Sequence, residues 1–177
     1  HFRLAIDRCF SVKGSGLVVT GSIFSGEVSE GDEVYLVPQG EALPVRGIHT
    51  QNQVASHASI GDRCAINLAG HNLDRENISR GNWLTSNPHH EASTRFDMQL
   101  KVLASEGRPL ANWTPVHVHT AANHVTGRVA ILEGTRINPN ESGLVQVVLK
   151  EAINVCMGDR VILRDQGAIR TIAGGSI

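Results

Sequence analysis

Aromatic side chains are scarce in this chain, at only 4% of 177 residues. That leaves too few rings for the stacking platform on which proteins read unpaired bases, so any RNA contact should run through the phosphates and 2′-hydroxyls of a duplex. Cysteine is scarce too. Cys9, Cys64 and Cys156 are an odd number at long spacings, which fits a reduced, cytoplasmic protein better than a disulfide scaffold or a zinc site. All three adjoin apolar strand positions and are expected as buried small residues rather than reactive thiols. No apolar stretch resembles a signal sequence or is long enough to span a bilayer, so no membrane role is expected. Net charge is also missing, at −1 overall. Up to residue 90 there are seven Lys and Arg against nine Asp and Glu, and beyond it nine against eight. Any attraction for a polyanion must therefore be local.

What the chain does have is glycine and short valine-rich runs. Ala5 to Pro38 reads AIDRCFSVKGSGLVVTGSIFSGEVSEGDEVYLVP, where Gly14, Gly16, Gly21, Gly26 and Gly31 leave apolar runs too short for helices but suited to strands joined by tight turns. Farther on, Phe96, Met98, Leu100 and Val102 alternate with Asp97, Gln99 and Lys101, so one face of a strand is buried. The same period returns over Leu144 to Leu149 and Arg160 to Arg164, and no stretch carries the period of a long amphipathic helix. The pattern predicts an all-β chain of two consecutive closed β-barrels, because closure removes exposed strand edges. The polar segment SNPHHEAS, Ser86 to Ser93, is the expected linker, giving domains 1–88 and 89–177. Asn72 to Ile78 reads equally as a short helical turn or a loop. The chain starts at His1 rather than at a methionine, which reads as a piece of a longer protein.

Sites for chemistry are few. Gly16 and Gly21 have the glycine spacing of a phosphate-binding loop, but Ser22 stands where the lysine belongs and the glycines lie in a strand-turn-strand pattern. Ser11, Ser15 and Ser25 fall in turn contexts without a nucleophile elbow, so no catalytic residue is expected. His117 and His119 project from the same face of a predicted strand, and His124 is expected in the loop that follows. Without a third well-spaced ligand, no metal is expected and the pair reads as a polar or RNA-facing surface.

The Ala5 to Pro38 run resembles the second domain of translational GTPases of the elongation-factor Tu type, where a KGxGxVVTG turn recurs. The resemblance is sharpest to the selenocysteine-specific elongation factors: IDRCFSVKGSGLVVTGS, HTQNQ at His49 to Gln53, GDRCAINLAG at Gly61 to Gly70, ISRGNWL at Ile78 to Leu84, HVHTAANHVTGRVAILE at His117 to Glu133 and RVILRDQGAIRTIAGGSI at Arg160 to Ile177 cover nearly the whole chain. The resemblance implies two barrels that hold selenocysteinyl-tRNA non-catalytically, beside a GTPase domain, with GTP and Mg, and a C-terminal extension that recognises mRNA, neither of them within this sequence. It implies delivery to the ribosome and a monomer, with no cofactor held by these residues. It also implies that Asp7, Arg8 and Arg63 line the aminoacyl pocket, where two arginines in place of acidic or neutral polar side chains suit an anionic selenolate and disfavour neutral serine. His49, Gln51 and Asn52 would lie near the tRNA 3′ end, and His119, Arg128, Arg170, Thr171 and Gly175 would face the T arm.

Three rivals remain open at this level. The barrels could belong to another Tu-like GTPase, such as an initiation-factor subunit. They could belong to a sulfate-assimilation GTPase subunit, which is not expected to carry both HTQNQ and HVHTAANHVTG. Or His117 and His119 could anchor a β-barrel metalloprotein, a reading that metal analysis would test.

Overall fold

A computed structural model describes residues 1–12, 16–69 and 78–177. Gly14, Ser15 and Asn72 to Asn77 therefore lie outside the described residues. The chain divides into two compact units, His1–Glu91 and Ala92–Ile177. The described residues contain strands and turns and no helix, so none is long and apolar enough to cross a membrane.

The first unit runs β1 (Arg3–Val12), β2 (Gly16–Ser25), β3 (Glu27–Ser29), β4 (Glu33–Val37), β5 (Glu41–Thr50), β6 (Gln53–Ala55), β7 (His57–Ser59), β8 (Arg63–Leu68) and β9 (Trp83–Thr85). Its main sheet has the order β4-β9-β1-β2-β8-β5-β6, and β4 also pairs with β5, so six strands close on themselves while β6 extends the β5 edge. All pairings are antiparallel, and β3 and β7 form a separate ribbon. Alternation does the work of folding here. Along β2, Leu17, Val19 and Ile23 point inward with Gly21 among them, to meet Leu4, Ile6, Ile48, Ile66 and Leu84 in one core. Arg3 lies over the ring of the buried Trp83 at 4.3 Å, and Phe24 meets the same ring edge-on.

The second unit runs β10 (Ser93–Val102), β11 (Leu110–Ala111), β12 (Thr114–Thr120), β13 (Asn123–Ile131), β14 (Arg136–Ile137), β15 (Ser142–Ile153), β16 (Arg160–Arg164) and β17 (Thr171–Ser176). A closed barrel, β10-β15-β13-β12-β16-β17, is completed where β17 returns to β10. The alternation expected from Phe96 to Val102 is seen: all four apolar side chains are buried, packed with Val118, Val129, Val147 and Leu163.

Two local expectations are corrected. His124 lies within β13, opposite His119, because Thr120 pairs with Asn123 across a two-residue turn in which Ala121 takes a positive φ of 48°. Neither Ala121 nor Ala122 carries the glycine or asparagine signal of such a turn, so the reversal is invisible in the sequence. Of the cysteines only Cys64 is fully buried; Cys9 is half-buried on β1 and Cys156 is half-buried in the turn after β15.

Candidate functional site

The outer face of the first barrel gathers charge because β1 slips by one residue. Ile6 pairs with Gly21 and Arg8 with Thr20, leaving Asp7 without a cross-strand partner. Leu4 and Ile6 point inward and the next side chain packed on the core is Cys9, so Asp7 and Arg8 both fall on the outside. A regular strand would have sent one of them into the core. Gly21 permits the slip. A Cβ at that position would sit well inside contact distance of the Ala5 carbonyl oxygen and the Leu4 side chain, so the two strands could not approach as they do.

Once aimed outward, the Asp7 carboxylate accepts three hydrogen bonds. It accepts from Thr20 Oγ1 at 2.6 Å, and from Arg63 Nε at 3.0 Å and Arg63 Nη2 at 3.1 Å. This fork from β8 holds the guanidinium in one plane across β2 and β1. Nη1 of Arg63 takes no part in the fork, and the residue stays more than half exposed. Arg8 has no hydrogen-bond or ion-pair partner among the described residues. Among the described residues the site therefore carries one neutralised and one uncompensated guanidinium.

The register extends this patch to His49. Arg8 faces Thr20, Thr20 faces Ala65, and Ala65 faces His49, a lateral row over β1, β2, β8 and β5. Three inter-strand steps put the Arg8 and His49 backbones about 14 Å apart. Gln51 and Asn52 form the two-residue turn between β5 and β6, with φ of 51° and 63°. Those angles are those of a type I′ hairpin turn, in which asparagine is favoured. Asp7, Arg8, Arg63 and His49 thus share one face, with Gln51 and Asn52 at the hairpin tip beyond it.

Next to Arg63, Cys64 points into the core, where burial above all, with the Asp62 charge second, pushes its thiol up to about 11. At about pH 8 the native chain should therefore resist alkylation at Cys64, and modification should appear only with unfolding of the first barrel. Peptide mapping after iodoacetamide treatment in and out of denaturant checks this; equal labelling in both would count against it.

In the second barrel the expected arm-contact residues are spread. His119 lies on β12 and Thr171 pairs with Arg164, whereas Gly175 pairs with the inward-facing Leu100 and Val161 and leaves no room for a Cβ against the Gln99 carbonyl. Arg128 donates to the Trp113 carbonyl oxygen at 3.1 Å. Arg170 is ion-paired to Glu106 at 3.3 Å and to Asp165 at 3.6 Å. Backbone N–H groups of Arg170 and Ile169 hold the Asp165 carboxyl below its ordinary value. Among the described residues no group of three or more His, Cys, Asp or Glu side chains is arranged to hold a metal ion.

His119 is pushed below its ordinary 6.5 by burial first, then by His124, Arg164 and His117. The unfolded chain then takes up this proton before the folded one as pH falls. Stability from this group is fully present above pH 6.5 and declines below it, toward the lowered folded value. Denaturant midpoints of the second barrel near pH 7.5 and near pH 5.5 should differ more in the wild type than in His119→Gln. An unchanged difference would exclude His119 as the cause.

The comparisons with known proteins fall on these same units. Residues 16–85 match the family model for elongation factor Tu domain 2, and residues 97–177 match that for the selenocysteine-specific elongation factor beta-barrel domain. The selenocysteine-specific elongation factor of Escherichia coli is 42% identical over 99% of this chain. The chain belongs to the selenocysteine-specific elongation factor family. Its counterpart in Haemophilus influenzae is 38% identical over 99% of the chain. The apo crystal structure of translation elongation factor SelB from Methanococcus maripaludis superposes with a TM-score of 0.82 at 26% identity, covering 99% of this chain and 41% of that one. The chain spans about a quarter of the length of the curated relatives, 26% and 28% of the two named. It is thus the two-barrel part of a selenocysteine-specific elongation factor, in the translational GTPase superfamily.

The sequence of this elongation-factor fragment did not single out Thr20 or Arg164, and it suggested a loop for His124. Thr20 carried a signal in retrospect, since the VVTG run alternates and sends Thr20 outward, but its bond to Asp7 depends on the bulge. Arg164 joins the histidines only through the pairing of β12 with β16.

Proposed function

We propose that these barrels hold selenocysteinyl-tRNA for a GTPase domain that, with GTP and Mg, delivers it to the ribosome, and that Asp7, Arg8 and Arg63 recognise the selenolate. The observation that carries this reading is the forked Asp7–Arg63 pair beside the uncompensated Arg8 on one outer face. Asp7 orients Arg63 so that its remaining N–H groups are presented in a fixed plane, and Arg8 supplies the net positive charge. A selenolate brings a full negative charge to this site and a serine hydroxyl none, so the arrangement stabilises the first far more than the second.

His49, Gln51 and Asn52 would flank the tRNA 3′ end on the same side of the barrel. His119, Arg128, Arg170, Thr171 and Gly175 would meet the T arm, Gly175 through its backbone alone. The factor works as a cytoplasmic monomer away from membranes, and its mRNA-binding extension lies outside this sequence. The test is competition between selenocysteinyl-tRNA and seryl-tRNA for the full-length factor in its GTP state. Selenocysteinyl-tRNA should win by well over tenfold, and equal affinities would overturn the reading.

A further inference from the structure

Two loops of the second barrel meet around Arg170. The turn between β16 and β17 is fastened by Asp165, whose Oδ1 accepts from the backbone N–H groups of Ile169 at 2.8 Å and of Arg170 at 3.2 Å. Arg164 adds a bond to the Ile169 carbonyl oxygen at 2.9 Å. The segment after β10 is strapped to β17 by the Leu103 N–H, which donates to the Ile172 carbonyl oxygen at 2.9 Å. From this segment Glu106 reaches the Arg170 guanidinium, its Oε2 lying 3.3 Å from Nη2, while Asp165 Oδ2 lies 3.6 Å from Nε. Nη1 and Nη2 form the outer edge of the guanidinium, the one that can grip a phosphate with two parallel N–H groups. Glu106 occupies half of that edge.

The two carboxylates are held differently. Asp165 is fixed by its backbone bonds and orients Arg170 from the Nε side, whereas Arg170 is the one partner of the Glu106 carboxylate among the described residues. Glu106 and Arg170 line a cavity of about 250 Å³, open to solvent, with Val102, Leu110 and Ile172 on its apolar side. Arg108, two residues along the same segment, lines this cavity too and has no ion-pair partner among the described residues. Glu106 therefore has room to turn and a second cation to turn to. The Arg170 side chain is 63% exposed, so a ligand arriving from solvent can reach it.

We propose that Glu106 limits the affinity of the factor for tRNA by occupying the edge of Arg170 that would otherwise grip a backbone phosphate. The inference rests on the reading that sets Arg170 against the T arm, and it adds a residue that works against binding there. With Glu106 and Asp165 both beside it, Arg170 offers no net positive charge to an approaching polyanion. A phosphate must displace Glu106 to take Nη1 and Nη2 together, so part of the new attraction is offset by the lost ion pair. A carrier has to release its cargo as well as bind it. Because the competition is confined to one arm contact, it lowers affinity and leaves the choice of aminoacyl group untouched.

The experiment measures dissociation constants of the full-length factor in its GTP state for selenocysteinyl-tRNA, and for the same tRNA carrying serine, over a series of salt concentrations. Glu106→Gln should bind about threefold more tightly at about 0.1 M salt, by the same factor for both tRNAs. Its plot of log affinity against log salt should steepen by about 0.7–0.9, the release of roughly one more counterion. Glu106→Ala should show the same gain, which separates removal of the carboxylate from an effect of the new glutamine. Adding Arg170→Gln should erase the gain of either variant. Equal or weaker binding by both Glu106 variants, or a gain that persists without Arg170, overturns the inference and leaves the tRNA reading standing. A gain for selenocysteinyl-tRNA alone would assign the effect to the aminoacyl site and overturn it as well. If no form of the factor, wild type included, binds either tRNA, the tRNA reading falls and the inference falls with it.

Discussion

Replacing Gly21 by alanine should destabilise the first barrel by about 3 kcal/mol, the upper end for overpacked sites, because the new methyl must displace backbone as well as a side chain. The Ala5 carbonyl is bound into β1, so it cannot swing away as the tip of a long side chain could. A loss of that size in a domain this small lowers its unfolding midpoint by roughly 10–20 °C. The second barrel has its own core and should unfold unchanged, so calorimetry should show one transition moved and one fixed. Cys64 gives a local report: its thiol should become reactive at the lowered midpoint. The consequence for function is larger than the stability figure suggests, since the same close approach hosts the bulge that turns Asp7 and Arg8 outward. A variant that melts like the wild type would show that β1 and β2 tolerate separation, and the derivation of the charged patch would fail with it.

Alanine at Arg8 and at Arg63 should cost selenocysteinyl-tRNA binding unequally, with seryl-tRNA affected within about threefold. A single guanidinium about 4 Å from a selenolate has a gross attraction of about 4 kcal/mol at an effective dielectric of about 20. After desolvation, roughly 1.5–3 kcal/mol remains, or about 10- to 150-fold. Arg8→Ala removes that attraction and nothing else, since no described residue depends on it. Arg63→Ala also frees the Asp7 carboxylate from its fork, so a negative charge now faces the incoming anion. Its loss should exceed that of Arg8→Ala, and adding Asp7→Asn should recover part of it. Protection of the aminoacyl ester from hydrolysis by the full-length factor measures all three variants. Equal losses for the two tRNAs would sink the selenolate assignment, and a double variant no better than Arg63→Ala would remove the role given to Asp7.

How much was legible varied from element to element. The Phe96 to Val102 alternation gave its strand and buried face directly, because a period of two has one structural meaning when a core lies on one side. Gly21 was read as turn chemistry, yet it lies inside β2 and serves close strand approach, which a sequence cannot distinguish from a turn without the partner strand. His124 was placed in a loop because a two-alanine reversal carries no composition signal. Arg63 beside Asp62 and Arg8 beside Asp7 could have been read as neighbouring pairs. The fold instead joins Arg63 to Asp7, 56 residues away.

By itself, the sequence determined that the chain is all-β, built as two barrels, and that it belongs with the selenocysteine factors, since these follow from periodicity and from motifs spread along its length. Only the tertiary structure decided which charges face one another. Cross-strand register sets those contacts, and a one-residue bulge in β1 moves two side chains to the same face without changing a single letter. The same is true of His117, His119, His124 and Arg164, which two strand pairings assemble from positions that no local pattern connects.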